Sequence, residues 1–224
     1  MRAALDRNAV RELFVTDAAA RRFVEVLDGV DVPVWQVSDR AAKALSDTVT
    51  PVGLVAVCEI PDTGLDEVIA GRPRLVVVAV DVSEPGNAGT LIRLAHAMGA
   101  AAVVLAAHSV DPYNAKCLRA SAGSLFAIPV VTAPDAAGAL GALADAGLQI
   151  LATTVDGKVV IDDVAELLDA PTAWVFGSEA HGLPAEVVTR ADTTVRIPIT
   201  GGADSLNVAA AAAICLYLTA RAQR

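Results

Sequence analysis

Aromatic residues make up only 4% of this 224-residue chain. Ala, Val, Leu and Ile must therefore build the core, which means close packing of small side chains rather than clustered rings. Cysteine is scarce: Cys58, Cys117 and Cys215 are odd in number and far apart, with no CxxC, and the three histidines (His96, His108, His181) form no HExxH. Neither a disulfide framework nor a metal site is expected. Long hydrophobic runs are missing as well. The longest, Val208 to Ala220, is interrupted only by Thr219, and it falls short of the roughly 20 residues that a membrane span needs. The opening stretch MRAALDRNAVRELF is charged throughout and has no apolar h-region, so no export signal is expected and the cytoplasm is the expected location. Positive charge is also in deficit. A formal net charge of −9 argues at first against a nucleic-acid partner, because phosphate binding leaves a basic footprint.

What is present points to a folded chain. Hydrophobic residues are 54% and charged residues 19% of the total, and the length suits one large domain or an ordinary domain plus a small one. The acidity is also unevenly spread. Between Asp135 and Asp169 there are seven acids and one base, a balance of −6, which leaves −3 for the rest of the chain. Residues 1 to 45 hold seven bases (Arg2, Arg7, Arg11, Arg21, Arg22, Arg40, Lys43) against seven acids. Either a local basic face or a solvated mixed-charge surface fits that count.

From Leu75 onward, apolar runs alternate with helical patterns: LVVVAV (75–80), AAVVLAA (101–107), AIPVV (127–131), LQILATT (148–154), TAWVF (172–176) and TTVRIPI (193–199). Continuous β-branched runs are what strands covered on both faces look like. Helices are expected near 88–98, 113–122, 135–146, 162–168 and 204–221, and the alternation implies an α/β domain with a mostly parallel sheet and helices on both faces. Residues 1–60 carry a smaller α/β pattern. There ELFVT, VPVWQV and GLVAVCE read as strands, and 18–28 and 39–46 as helices. Residues 61–73, rich in Pro and Gly, read as a linker to a domain spanning 74–224.

In an open α/β sheet, ligands bind beyond the carboxyl ends of the strands, so three loops matter most. After LVVVAV comes EPGNAGTLIRLAHAMGA, where Asn87 can cap a helix that presents Arg93 further along. After TAWVF comes GSEAHGLP, which is neither a Walker A loop nor GxGxxG; Gly177 permits close backbone approach, and Glu179 is either a first-turn acid or a functional carboxylate. His181 is a general-base candidate or a surface residue. After TTVRI comes PITGGADSLNVAAAAA. Asp204, Ser205 and Asn207 are all good capping residues, but one would suffice, which favours a site there.

Taken together, EPGNAGTLIRLAHAMGA, VFGSEAHGLP and RIPITGGADSLNVAAAAAICLY resemble, in order and spacing, the three motifs of the SpoU or TrmH-like branch of the SPOUT RNA methyltransferases. The resemblance covers roughly residues 74–221. LRASAGSLFAIPV (118–130) is similar to a segment common in members that modify ribosomal RNA. SDRAAKALSDTVTPVGLVAV (38–57) resembles the end of a small ribosomal-protein-like substrate-binding domain, shortened here by its opening strand and helix.

The resemblance implies methyl transfer from S-adenosylmethionine to a ribose 2'-hydroxyl in RNA, a C-terminal trefoil knot, and a homodimer built through the knotted domain. By position it implies that Asn87 and Arg93 form the first motif's polar pair, that Glu179 is the second motif's acid, and that Ser205 and Asn207 are the third motif's pair. Gly177, Ile197 and Leu206 would hold adenosine through backbone groups. Ribosomal RNA of the large subunit (23S) is the expected substrate. The alternatives are transfer RNA and a non-catalytic RNA-binding member of the same fold. An unknotted Rossmann-like enzyme is disfavoured by the absence of GxGxxG.

Overall fold

A computed structural model of the chain describes residues 1–178 and 180–224. The chain divides into two compact units, Met1–Pro61 and Asp62–Arg224.

The first unit contains α1 (Arg2–Asp6), β1 (Val10–Val15), α2 (Asp17–Arg22), α3 (Val24–Leu27), β2 (Val34–Gln36), α4 (Asp39–Ala44) and β3 (Leu54–Cys58). Its three strands form a sheet in the order β2-β1-β3, parallel between β1 and β2 and antiparallel between β1 and β3. Helix starts follow the capping chemistry of the sequence. Thr16 Oγ1 accepts from Ala19 N at 3.3 Å and Ser38 Oγ from Ala41 N at 3.2 Å, each satisfying a backbone donor that the helix itself cannot. The helix expected over 18–28 breaks at Phe23 into α2 and α3.

The second unit begins with a difference from expectation. Part of the 61–73 segment, read as linker, is helical: α5 (Leu65–Ala70) buries Val68 in the core of this unit. Leu65, Val68 and Ile69 recur at helical spacing, a signal that the flanking prolines and glycines obscured. The strands and helices that follow are β4 (Leu75–Val80), α6 (Pro85–Ala97), β5 (Ala102–Ala106), α7 (Ala115–Ala120), β6 (Val130–Ala133), α8 (Ala136–Asp145), β7 (Gln149–Thr153), β8 (Val159–Val160), β9 (Thr172–Phe176), α9 (Ala185–Val188), β10 (Thr193–Arg196) and α10 (Val208–Ala222). The seven strands order as β6-β5-β4-β9-β7-β10-β8, and every pairing is parallel.

Two hydrophobic layers flank this sheet. Leu75, Val77 and Ala79 of β4 pack with Ala88, Leu91 and Ile92 of α6 and with Ala212, Cys215 and Leu216 of α10. Val76, Val78 and Val80 point the other way, toward Ala139, Leu140 and Leu143 of α8. All six side chains of β4 are buried, and each fully buried valine contributes about 1.5 kcal/mol of apolar transfer free energy. Trp174 is fully buried, and its Nε1 donates to Thr219 Oγ1 at 2.8 Å, so its indole N–H is satisfied inside the core.

Element boundaries moved where turn chemistry prevailed. The strand expected at 127–131 starts instead at Val130, because Pro129 has no N–H for the ladder, although its carbonyl accepts from Val103 N at 3.0 Å. The helix expected over 162–168 is only a 3-10 turn at 161–163 followed by further turns. α6 starts before Asn87, at Pro85. Glu84 rather than Asn87 is its cap, with Oε2 accepting from Asn87 N at 3.0 Å.

Helices α6 and α7 cross where α6 carries Gly89. A Cβ there would lie 2.6 Å from the Ala120 Cβ and nearer still to the Cys117 carbonyl oxygen. Gly89→Ala is therefore expected to destabilise the chain by about 1–3 kcal/mol through overpacking, measured as a lowered midpoint in denaturant unfolding; an unchanged midpoint would show that the crossing can open freely.

Candidate functional site

The loops that leave the carboxyl ends of β7, β9 and β10 meet around a cavity of about 960 Å³. One wall is Thr153–Asp156, directly after β7. A second is Gly177, Ser178 and residues 181–183, after β9. The third runs from Val195 through Ile199 and resumes at Ala203–Leu206, after β10. Such a position is where open parallel sheets bind ligands, and the volume is at the upper end for a small-molecule pocket.

Gly177 is at the tightest point of the second wall. Gly182 N donates to Ser178 O at 2.9 Å, so the loop doubles back on the strand end, with Gly182 at φ +67°. A Cβ at position 177 would lie 2.6 Å from Leu183 N and closer still to the Gly182 carbonyl. Only glycine fits, and strand-end backbone is left open to the cavity. Glu179, the expected motif acid of this loop, lies outside the described residues.

The third wall ends in the segment ADSLNV, where a helix start at 204 was expected. α10 begins at Val208, and Asn207 alone caps it: Oδ1 accepts from Ala209 N at 2.9 Å and Ala210 N at 3.4 Å. Asp204, Ser205 and Leu206 are thereby freed from helix duty, and all three line the cavity. The same Asn207 reaches sideways. Its Nδ2 donates to Asn87 Oδ1 at 3.1 Å, joining the starts of α10 and α6 across 120 residues of sequence.

Of the expected residues, then, Gly177, Ile197, Ser205 and Leu206 share the cavity, while Asn87 and Asn207 form a hydrogen-bonded pair at two helix starts. Arg93 is not among them. Six residues beyond Asn87, it sits about 240° further around α6. It is exposed and makes no hydrogen bond or ion pair among the described residues. Sequence reasoning missed Thr154, Asp156 and Arg196, which also line the cavity. The signal was available, since TTVDG follows β7 directly and the strand-end rule applies to it equally.

The other reactive side chains do not form a second centre. Burial pushes the Cys215 thiol up to about 12 and the Cys117 thiol up to about 11, so neither is a thiolate nucleophile near neutral pH. Among the described residues no cluster of His, Cys, Asp and Glu could hold a metal ion. Glu84, the α6 cap, is held below the usual carboxylate range, first by its hydrogen bond from Lys116.

Residues 74–217 match the SpoU rRNA Methylase family. The chain belongs to that family. It is 33% identical over 208 residues to a 23S rRNA (guanosine(2553)-2'-O)-methyltransferase, RlmP, of Bacillus subtilis, covering 93% of this chain and 79% of that protein. To a 23S rRNA (uridine(2479)-2'-O)-methyltransferase of Streptomyces viridochromogenes it is 36% identical over 174 residues, 76% of this chain and 61% of that one. Among solved structures, the SpoU methyltransferase AviRb from Streptomyces viridochromogenes, in complex with AdoMet, superposes with a TM-score of 0.85 at 31% identity, covering 98% of this chain and 85% of AviRb. In this SpoU member the second and third motif loops are two of the cavity walls, the first motif is tied to the third through the Asn87–Asn207 bond, and the loop after β7 carries none of the motifs.

The two jobs of Asn207 are separable. Asn207→Ala removes the cap and is expected to lower stability by about 1 kcal/mol, whereas Asn207→Asp keeps an acceptor at the helix start and should stay within about 0.5 kcal/mol of the parent. Thermal or denaturant unfolding of the two variants checks this; equal losses would show that the bond to Asn87, not the cap, carries the stability.

Proposed function

We propose that this chain methylates a ribose 2'-hydroxyl of 23S ribosomal RNA, with S-adenosylmethionine as methyl donor. The observation that carries the reading is the convergence of Gly177, Ile197, Ser205 and Leu206 on one cavity at the carboxyl ends of β9 and β10, in a member of the SpoU family. Those residues suit the donor. Backbone groups at Gly177, Ile197 and Leu206 would hold its adenosine part: Gly177 has no room for a Cβ, Ile197 is half-buried just beyond β10, and Leu206 lies in the loop before α10, where main-chain N–H and C=O groups are left without helix partners. When bound, the donor supplies an electrophilic methyl group on a sulfonium.

Displacement at such a methyl needs alignment more than covalent help. Ser205 is at the cavity and faces the incoming ribose in this reading. The Asn87–Asn207 pair keeps the two helix starts in register beneath it. Arg93 clamps the phosphate next to the target ribose and stabilises the negative charge that develops on the oxygen. Guanidinium groups stay charged in proteins, so Arg93 orients the hydroxyl first and serves as base only second. Glu179 is assigned to fixing that arginine and the loop after β9.

Arg93 is outside its own chain's cavity, as a site completed by a second subunit would require, and a homodimer through this domain supplies that arrangement. Ala210, Ile214 and Tyr217 form an exposed stripe on α10 at helical spacing, and Ile214 and Tyr217 are 36% and 51% exposed, which suits such an interface. A trefoil knot, with the segment between β10 and α10 threaded through the loop after β9, is part of the same proposal. The unit of residues 1–60, with its seven bases spread over residues 1–45 and an exposed Trp35, is assigned to gripping RNA. No helix is long and apolar enough to cross a membrane among the described residues, and the cytoplasm, where ribosomes are made, is the proposed location.

Ribosomal RNA is preferred to transfer RNA because the rRNA-enzyme relatives match across both units. A tRNA C/U34 2-OH methylation structure, by contrast, superposes at a TM-score of 0.59 over 66% of this chain. Incubation with methyl-labelled S-adenosylmethionine and unmodified 23S ribosomal or transfer RNA should label a ribose in the former, and Arg93→Ala should lower the rate about 100-fold or more. Label on a base, or undiminished transfer by the variant, would overturn the assignment.

A further inference from the structure

The wall after β7 is not anchored by packing. Gly157 N donates to Thr154 O at 3.3 Å, closing a turn over Val155 and Asp156, and Val155 is 73% exposed. What fixes this turn is β10, through both its backbone and a threonine side chain. Thr154 N donates to Val195 O at 3.0 Å and Lys158 N to Thr194 Oγ1 at 3.1 Å. Gly157 is buried against the same strand: a Cβ there would lie 2.5 Å from Arg196 N and nearer still to the Val195 carbonyl carbon.

One side chain closes the arrangement. Arg196, half-buried and lining the cavity, donates from Nη1 to Gly157 O at 2.6 Å, the only hydrogen bond its guanidinium makes among the described residues. The next residue is Ile197, at the opposite wall of the same slot. A charged donor on a buried carbonyl is among the stronger hydrogen bonds available; the turn itself lies between two strands that pair with β10, β7 before it and the two-residue β8 after it.

We propose that Arg196 is a positioning residue for the cofactor: by holding the Gly157 carbonyl it sets the gap between the Val155–Asp156 wall and the Ile197 backbone, and with it the fit of the adenosine part. This rests on reading the cavity as the S-adenosylmethionine site. Arg196 acts through the turn and does not touch the reacting atoms, so its loss weakens cofactor binding without slowing methyl transfer at saturation.

Calorimetric binding of S-adenosylhomocysteine and of 5'-methylthioadenosine, which keeps the adenosine and thioether but lacks the amino-acid tail, tests this on the full chain, alongside kcat and KM for S-adenosylmethionine. Arg196→Gln should weaken both ligands by the same factor, about tenfold, and raise KM to match, with kcat within about twofold of the parent. Arg196→Lys should recover part of the affinity. Gly157→Ala, which lifts the turn off β10, should weaken both ligands in the same ratio and serves as the test if Arg196→Gln does not fold. Loss of S-adenosylhomocysteine binding with 5'-methylthioadenosine unaffected would overturn the proposal, because Arg196 would then grip the tail directly. Unchanged affinity for both would overturn it too. A parent chain that binds neither ligand would instead overturn the reading of the cavity itself.

Discussion

The second unit depends on backbone lying against backbone at the carboxyl ends of a parallel sheet. Gly177 meets the Gly182–Leu183 peptide, and Gly157 meets the Val195–Arg196 peptide, in both places with no space for a Cβ. Close-packed chain segments of this kind exclude side chains from the contact and leave main-chain donors and acceptors facing the space between the walls. The cavity follows from that. Strands β9, β7 and β10 are neighbours in the sheet, so their outgoing loops must emerge side by side. Glycine at two of them lets the loops fold flat instead of splaying apart.

This arrangement divides labour between rigid and adjustable parts. β4 and β9 are buried along their whole length, and Trp174 is tied to Thr219 within the core. The loops around the cavity are mostly half-buried or exposed, held by turns and single hydrogen bonds together with a few apolar anchors such as Leu183 and Ile197. Loops that admit a ligand belong to the low-stability end of a fold, and here they hang from its most stable strands. The Asn87–Asn207 bond adds a lateral tie between two helix starts, so the third wall cannot move independently of α6.

Much of the architecture was legible in the sequence. Runs such as LVVVAV and TAWVF became strands buried on both faces, as their unbroken apolar character demanded, and the parallel order followed from their alternation with helices. The three motif loops were legible as well, because Gly, Asn, Ser and Asp at strand ends are chemically unusual there. Short elements were harder. α5 was hidden by flanking Pro and Gly, and the cap of α6 is Glu84 rather than the better capping type Asn87, since Pro85 fixes the first helical position one turn earlier than propensity suggests. The loop after β7 escaped notice because Thr, Val, Asp and Gly in a turn need no functional explanation; only contact with β10 gives them one.

The sequence by itself determined the long strands and helices, the chemical types available at each strand end, and the family to which those types belong. These are local properties: periodicity, capping chemistry and motif spacing are read along the chain. Only the tertiary structure decided which loops share a wall, that Asn207 caps a helix and bonds Asn87 at once, that Ser205 and Leu206 are released to the cavity, and that Arg93 does not line it within its own chain. Those outcomes turn on strand order and on how far around a helix two residues fall, and both are set by packing between segments distant in sequence.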